Sequence, residues 1–162
     1  MEKEEAIEFQ PAKPAFELLF RATVNLAAAT HISKVPLGER MFIPITGGLF
    51  KGEKLSGEVL SGGGDWQLIR PDGSTILHAR YTIRTNDNAF IYIENKGIRA
   101  GKPDVLAQLA RGDIVDPAKY YFRTVPQFET GAPQYVWLNN IIAVCSGMRL
   151  INAVIIDFYS VI

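Results

Sequence analysis

This sequence has few of the groups on which reactive sites are usually built. Among 162 residues there are one cysteine and two histidines, and 17 Lys and Arg balance 17 Asp and Glu. Each scarcity excludes something. Cys145 has no partner for an internal disulfide, which fits a reducing compartment. It lies in the apolar run IIAVCSG and reads as a small buried hydrophobe, since a catalytic thiol needs a base and only His31 and His78 are available. Neither histidine has a Cys or carboxylate at ligand spacing, so no metal site is expected, and no Ser-His-Asp arrangement is recognisable. A formal net charge of zero leaves no electrostatic footprint for a nucleic acid or an anionic membrane. No apolar run approaches the ~20 residues of a membrane span. The acidic start MEKEEAIEFQPAKP lacks the apolar core of a signal peptide. The expectation is a cytoplasmic protein without nucleic-acid or membrane partners and without a cofactor.

What is present is apolar and β-branched. A hydrophobic fraction of 48% is enough for a full core. Residues 1–14 read as a flexible arm, and 15–162 as one domain. Phe16 to Leu26, Arg40 to Thr46, Asp65 to Arg70 and Ser74 to Thr85 have strand character, as do the run after Ala89 and the segment Tyr120 to Val125. A further strand is expected from Gln134 to Val144, and a last one from Asn152 to Ile162, which must be paired because it ends the chain. Pro103 to Arg111 is the one convincing helix, with Asp104 in its first turn and Gly112 to end it. The repeated glycines between Gly47 and Gly64 suit bends and close backbone approaches. Gly62 to Gly64 lacks the Lys and Ser/Thr of a phosphate loop. These elements predict an all-β fold, a single closed antiparallel β-barrel of about 8–10 strands with one short helix over 103–111, and such a barrel can hold a small ligand.

Two turns set a register. Pro71 and Gly73 suit a three-residue loop between Arg70 and Ser74, and Asn88 replaces the glycine in a matching loop between Thr85 and Ala89. Counting outward places Asp65, Gln67, Tyr81 and Asn95 on a mostly apolar face, with Asp65 and Asn95 on either side of Ala79. His78, Arg80 and Glu94 fall on the opposite, solvated face. A carboxylate and a phenol facing an apolar interior are candidate acid/base groups, Asp65 and Tyr81, with Gln67 and Asn95 as ligand-binding amides. The bland alternative is that Asp65 caps the glycine-rich bend and Tyr81 is a core ring with a satisfied hydroxyl.

The stretch Tyr121 to Asn140 supplies a second set. Arg123 and Glu129 are candidates for anchoring an anionic group and for base chemistry, or for a structural ion pair. Trp137 and Asn139 are candidates for a stacking platform and a hydrogen-bond partner, or for a core plug and a satisfied bulge. The expectation is that Arg123, Glu129, Trp137 and Asn139 form one wall of a pocket and the hairpin set the other.

The segments PLGER (36–40), ITGGLFKGEKLSGEVLSGGGDW (45–66), RPDG (70–73), ARYTIRT (79–85) and YFRTVPQFETGAPQYVWLN (121–139) resemble, in this order, the domain of unknown function 3237 family, the UPF0311 proteins. The resemblance covers nearly the whole chain after about residue 14 and implies a small closed β-barrel. Family members are mostly without assigned activity, so it brings no catalytic residues. Asn86-Asp87-Asn88 departs from the family's more usual Asp-Gly turn. Two functions follow as expectations. One is binding of a small aromatic or carbonyl compound in the lumen, with cofactor-free acid/base chemistry. The other is a non-catalytic, homo-oligomeric module with a filled barrel and an aromatic subunit interface.

Overall fold

The structure is a computed structural model that describes residues 9–162. Its strands are β1 (Phe16–Leu26), β2 (Thr30–Val35), β3 (Gly38–Lys51), β4 (Ser56–Val59), β5 (Gly64–Ile69), β6 (Thr75–Thr85), β7 (Phe90–Gly101), β8 (Tyr120–Glu129), β9 (Ile142–Arg149) and β10 (Ala153–Val161). Helix α1 spans Pro103–Ala110, and short 3-10 helices span Pro117–Lys119 and Pro133–Asn140. Residues 9–15 precede β1 without helix or strand; the rest of the expected arm lies outside the described residues.

Strands β1, β10, β9, β8, β7 and β6 follow one another in antiparallel order. The long strand β3 closes the ring. It pairs with β1 on one side, and on the other it reaches β6 through β4 and β5, which occupy the same place between them at different heights. The result is a closed barrel of eight positions, as the sequence predicts, with β2 extending the wall along the first half of β3. Closure leaves β10 paired with both β1 and β9, so the C-terminal strand has no free edge. Gly48 shows why the glycines cluster in β3. It has φ +143, and a Cβ there would meet the Thr23 carbonyl oxygen at 2.0 Å.

The counted register holds. Arg70 N–H donates to the Ser74 carbonyl at 2.8 Å and Thr85 N–H to the Ala89 carbonyl at 2.9 Å, closing both loops. Gly73 (φ +84) and Asn88 (φ +63) supply the left-handed residue each loop requires. Asp65 and Asn95 are the two neighbours of Ala79, and Arg80 faces Glu94. On the outer face the His78 Nε2 lies 2.8 Å from the Glu94 carboxylate.

Two apolar clusters fill the barrel from its ends. In one half Phe20 stacks on Phe158 at 4.4 Å and tilts against Phe50 at 5.1 Å, with Phe128 beside them. Each buried ring is worth roughly 1.5–3 kcal/mol. In the other half Val105 and Leu109 of α1 pack on Leu77, Tyr120 and Phe122. Helix α1 forms because Pro103 suits its first position and Asp104 its first turn, and Gly112 (φ +86) lies just beyond its end.

The predicted strand from Gln134 to Val144 is corrected: residues Pro133–Asn140 form a 3-10 helix, and strand begins only at Ile142. Pro133 starts the helix, and its apolar residues close one end of the barrel, with Leu138 only 1% exposed. Strand β8 also runs beyond the predicted segment Tyr120 to Val125, through Pro126 to Glu129. The β8–β9 ladder is confined to Arg123↔Ser146 and Thr124↔Cys145, so Pro126 lies beyond it and its missing N–H breaks no bond to β9.

Candidate functional site

Between the two apolar clusters the lumen holds a small cavity. The cavity has a volume of about 50 Å³. Asp65, Gln67, Tyr81 and Asn95 all line it. Strands β5, β6 and β7 bring them together because each contributes every second residue to the inner face.

Asp65 is held by its own hairpin. The β5–β6 ladder has no pair between Asp65↔Ala79 and Leu68↔Ile76, and in that gap the His78 N–H donates to Asp65 Oδ1 at 2.9 Å. Gln67 Nε2 donates to Oδ2 at 2.8 Å. Burial nevertheless raises the Asp65 pKa above the ordinary carboxylate value; these two donors, and more weakly the charges of Arg99 and Arg149, oppose that rise without cancelling it.

Tyr81 is 4% exposed, Asn95 3% and Thr124 5%. The Tyr81 hydroxyl, Asn95 Oδ1 and Thr124 Oγ1 have no hydrogen-bond partner among the described residues. Burial pushes the Tyr81 phenol pKa strongly up, so the group stays protonated. The nearby Asn95 amide lowers it somewhat, although no well-formed hydrogen bond joins the two. Asn95 Nδ2 makes a long contact, 3.9 Å, with Cys145 Sγ. Burial pushes the Cys145 thiol up to about 12, which agrees with its reading as a core residue; the nearby Thr124 hydroxyl lowers it somewhat, although no well-formed hydrogen bond joins the two.

Three further polar residues line the cavity that sequence reasoning did not select: Arg99, Arg149 and Thr124. Arg99 lies on the same inner set of β7 as Asn95, two alternations further on. The register read from the two hairpins ends at Asn95, whereas the strand continues to Gly101. Burial and the repulsion of Arg149 lower the Arg99 pKa to about 10, so it remains a cation at neutral pH. Arg149 ends β9, beyond the stretch expected to be strand, and burial lowers its pKa too.

The second predicted wall is not formed; none of its four residues lines the cavity. In β8 the even-numbered residues Phe122, Thr124 and Phe128 are buried, so Arg123 and Glu129 face outward. Arg123 Nη1 donates to the Phe122 carbonyl at 3.0 Å and its guanidinium lies 5.6 Å from the Tyr121 ring centroid. No salt bridge joins it to Glu129 among the described residues. Trp137 sits in the 3-10 cap, its Nε1 donating to the Gln134 carbonyl at 3.1 Å. Asn139 clamps the preceding loop, accepting from Thr130 N–H at 2.9 Å and donating to the Thr130 carbonyl at 2.8 Å.

The sequence pattern described as "Protein of unknown function (DUF3237)" matches residues 14–161, and the chain belongs to this family. It is 44% identical to a UPF0311 protein of Rhodopseudomonas palustris over 144 residues, 89% of this chain and 94% of that one. The crystal structure of a conserved protein of unknown function from the same organism superposes with a TM-score of 0.89 at 40% identity, covering 94% of this chain and all of that one. A β-barrel-like protein from Acinetobacter baumannii gives 0.85 at 43% identity, over 96% of this chain and all of that one. An enzyme from Penicillium herquei gives 0.72 at 21% identity, over 96% of this chain and all of that one; that likeness is one of fold alone.

Proposed function

We propose that this barrel binds a small, partly aromatic or carbonyl-containing molecule in its lumen and moves a proton on it without a cofactor. The observation that carries the proposal is the group of buried, unpaired polar atoms on Tyr81, Asn95 and Thr124 around one cavity. Buried polar groups are nearly always paired, so several together are best explained as donors and acceptors reserved for a ligand. Asp65, with its raised pKa, is suited to take a proton from a carbon or oxygen of the ligand and return it to another atom. Tyr81, held protonated, is suited to donate to the carbonyl or phenol oxygen on which charge develops. The step needs no oxidant or second reactant.

The test is a fragment screen of phenols and cyclic ketones by ligand-observed NMR, followed by solvent-deuterium exchange into any bound enolisable ketone. Tyr81→Phe is expected to weaken binding about tenfold, the size of one buried hydrogen bond. Asp65→Asn is expected to bind but not exchange. Unchanged binding and exchange in both variants would sink the assignment.

A second reading, the homo-oligomeric module, is favoured by residues other than Trp137. Phe16, Leu18, Val125 and Ile142 are large, exposed side chains on β1, β8 and β9, three of the four strands that run side by side as β1, β10, β9 and β8. Light scattering of Ile142→Asp tests it. Dissociation of an oligomer, in a protein whose lumen takes up no fragment, would favour this reading over the first.

A further inference from the structure

Resting on the lumen-binding reading above, we propose that the cavity is built for a small organic anion, a ring bearing both a carboxylate and a hydroxyl. Arg99 and Arg149 hold the carboxylate, and Tyr81 and Asn95 hold the hydroxyl.

The charges in the lining do not balance. Its acidic and basic side chains are Asp65, Arg99 and Arg149, so two cations face one carboxylate. Asp65 is already engaged by Gln67 and by the His78 N–H. Arg99 is 8% exposed, its guanidinium makes no hydrogen bond to any described residue, and it lies over the Phe122 ring, 5.8 Å from the centroid. Arg149 spends one donor, Nε, on the Leu150 carbonyl at 3.3 Å. Neither arginine forms a salt bridge among the described residues. A buried guanidinium without a paired carboxylate is expensive, and its planar fork of donors matches one. An anion arriving with the ligand completes the charge balance.

The arginines and the Tyr81–Asn95 pair lie at two ends, with Thr124, opposite Gly97 on β7, midway between them. Arg99 faces Phe122 across the β7–β8 ladder, and Asn95 stands four residues earlier on the same side of β7, a separation of roughly 13 Å between Cα atoms. Tyr81 lies on the Asn95 side, opposite Ile93. Apolar Ile43, Ile45, Leu77 and Ile156 complete the wall. A ligand with an anion at one end, an apolar ring in the middle and a hydroxyl at the other satisfies both ends at once; a neutral or wholly apolar ligand does not.

The probes are 4-hydroxybenzoate, its neutral amide 4-hydroxybenzamide, benzoate and phenol, titrated calorimetrically and by NMR. The acid should bind about 10- to 100-fold more tightly than the amide, the size of a charge-assisted hydrogen-bond set. Arg99→Met and Arg149→Met should each reduce that ratio to about threefold or less while leaving phenol affinity unchanged, consistent with loss of the charged contact alone. Tyr81→Phe should weaken 4-hydroxybenzoate and leave benzoate unchanged. If phenol binds in the lumen but acid and amide bind equally, the anion assignment is overturned and lumen binding stands. If none of the probes binds, both fall. The wild-type acid-to-amide ratio decides the point even where an arginine variant does not fold.

Discussion

Replacing Tyr81 by Phe separates a ligand-binding hydroxyl from a structural one by the sign of a stability change. The ring is 4% exposed and belongs to the main core cluster, so Phe keeps its packing and removes a single oxygen. Where a buried hydroxyl is hydrogen-bonded within the protein, its loss destabilises by about 0.5–1.5 kcal/mol. Here the hydroxyl has no partner among the described residues, so its loss relieves a desolvation penalty of about 1–3 kcal/mol. The Asn95 amide beside it recovers part of that penalty, which leaves an expected gain of about 1 kcal/mol. For a chain of this size that raises Tm by about 2–4 °C. Urea denaturation of the ligand-free protein gives the free energy, and a thermal scan gives Tm. A loss of about 1 kcal/mol or more would show that the hydroxyl is satisfied within the fold and would remove the main support for ligand binding.

Three further outcomes follow from the same geometry. Because the Asp65 pKa is raised on folding, the stability tied to its protonated form is complete below the ordinary carboxylate pKa of about 3.9 and is lost as pH rises through the raised value. Urea titrations across pH should therefore show Asp65→Asn gaining on wild type as pH rises through that window, and parallel profiles would contradict the raised pKa. Cys145, with its thiol pushed up to about 12 inside the core, should resist iodoacetamide at pH about 8 until the protein unfolds; alkylation of the native protein at the rate of a free thiol would overturn its burial. Trp137→Ala should cost about 2 kcal/mol, less than a fully buried Trp because the ring is half-buried in the 3-10 cap, and should leave phenol affinity in the lumen unchanged.

Much of the barrel was legible because its hairpins are written in turn chemistry. Pro71, Gly73 and Asn88 fix two loops, and from them the period of two dictates every inward residue between Asp65 and Asn95. The same logic failed where local chemistry is ambiguous. Tyr135, Val136, Trp137 and Leu138 have the apolar, aromatic character of a strand, yet Pro133 and the clamp from Asn139 to Thr130 turn them into a cap. The strand β2 follows the run Ala27-Ala28-Ala29 and shows no clear alternation; its place is set by pairing with β3, a contact that local pattern does not reveal.

The site was half legible for a related reason. Arg123 was selected for its chemistry, but a side chain in a barrel strand must first satisfy parity. Within β8 the set Tyr120, Phe122, Thr124 and Phe128 is more apolar than Tyr121, Arg123, Val125 and Glu129, and that difference alone assigns the first set to the lumen. Parity carried through Gly97 likewise brings Arg99 inside, once a glycine followed by Ile98 is read as continuing strand rather than ending it. Arg149 has no such local signal. It comes near Asp65 and Arg99 only because ring closure sets β9 across the lumen from β5, with β8 alone between it and β7, and the charge imbalance of the cavity appears only when all three are counted together.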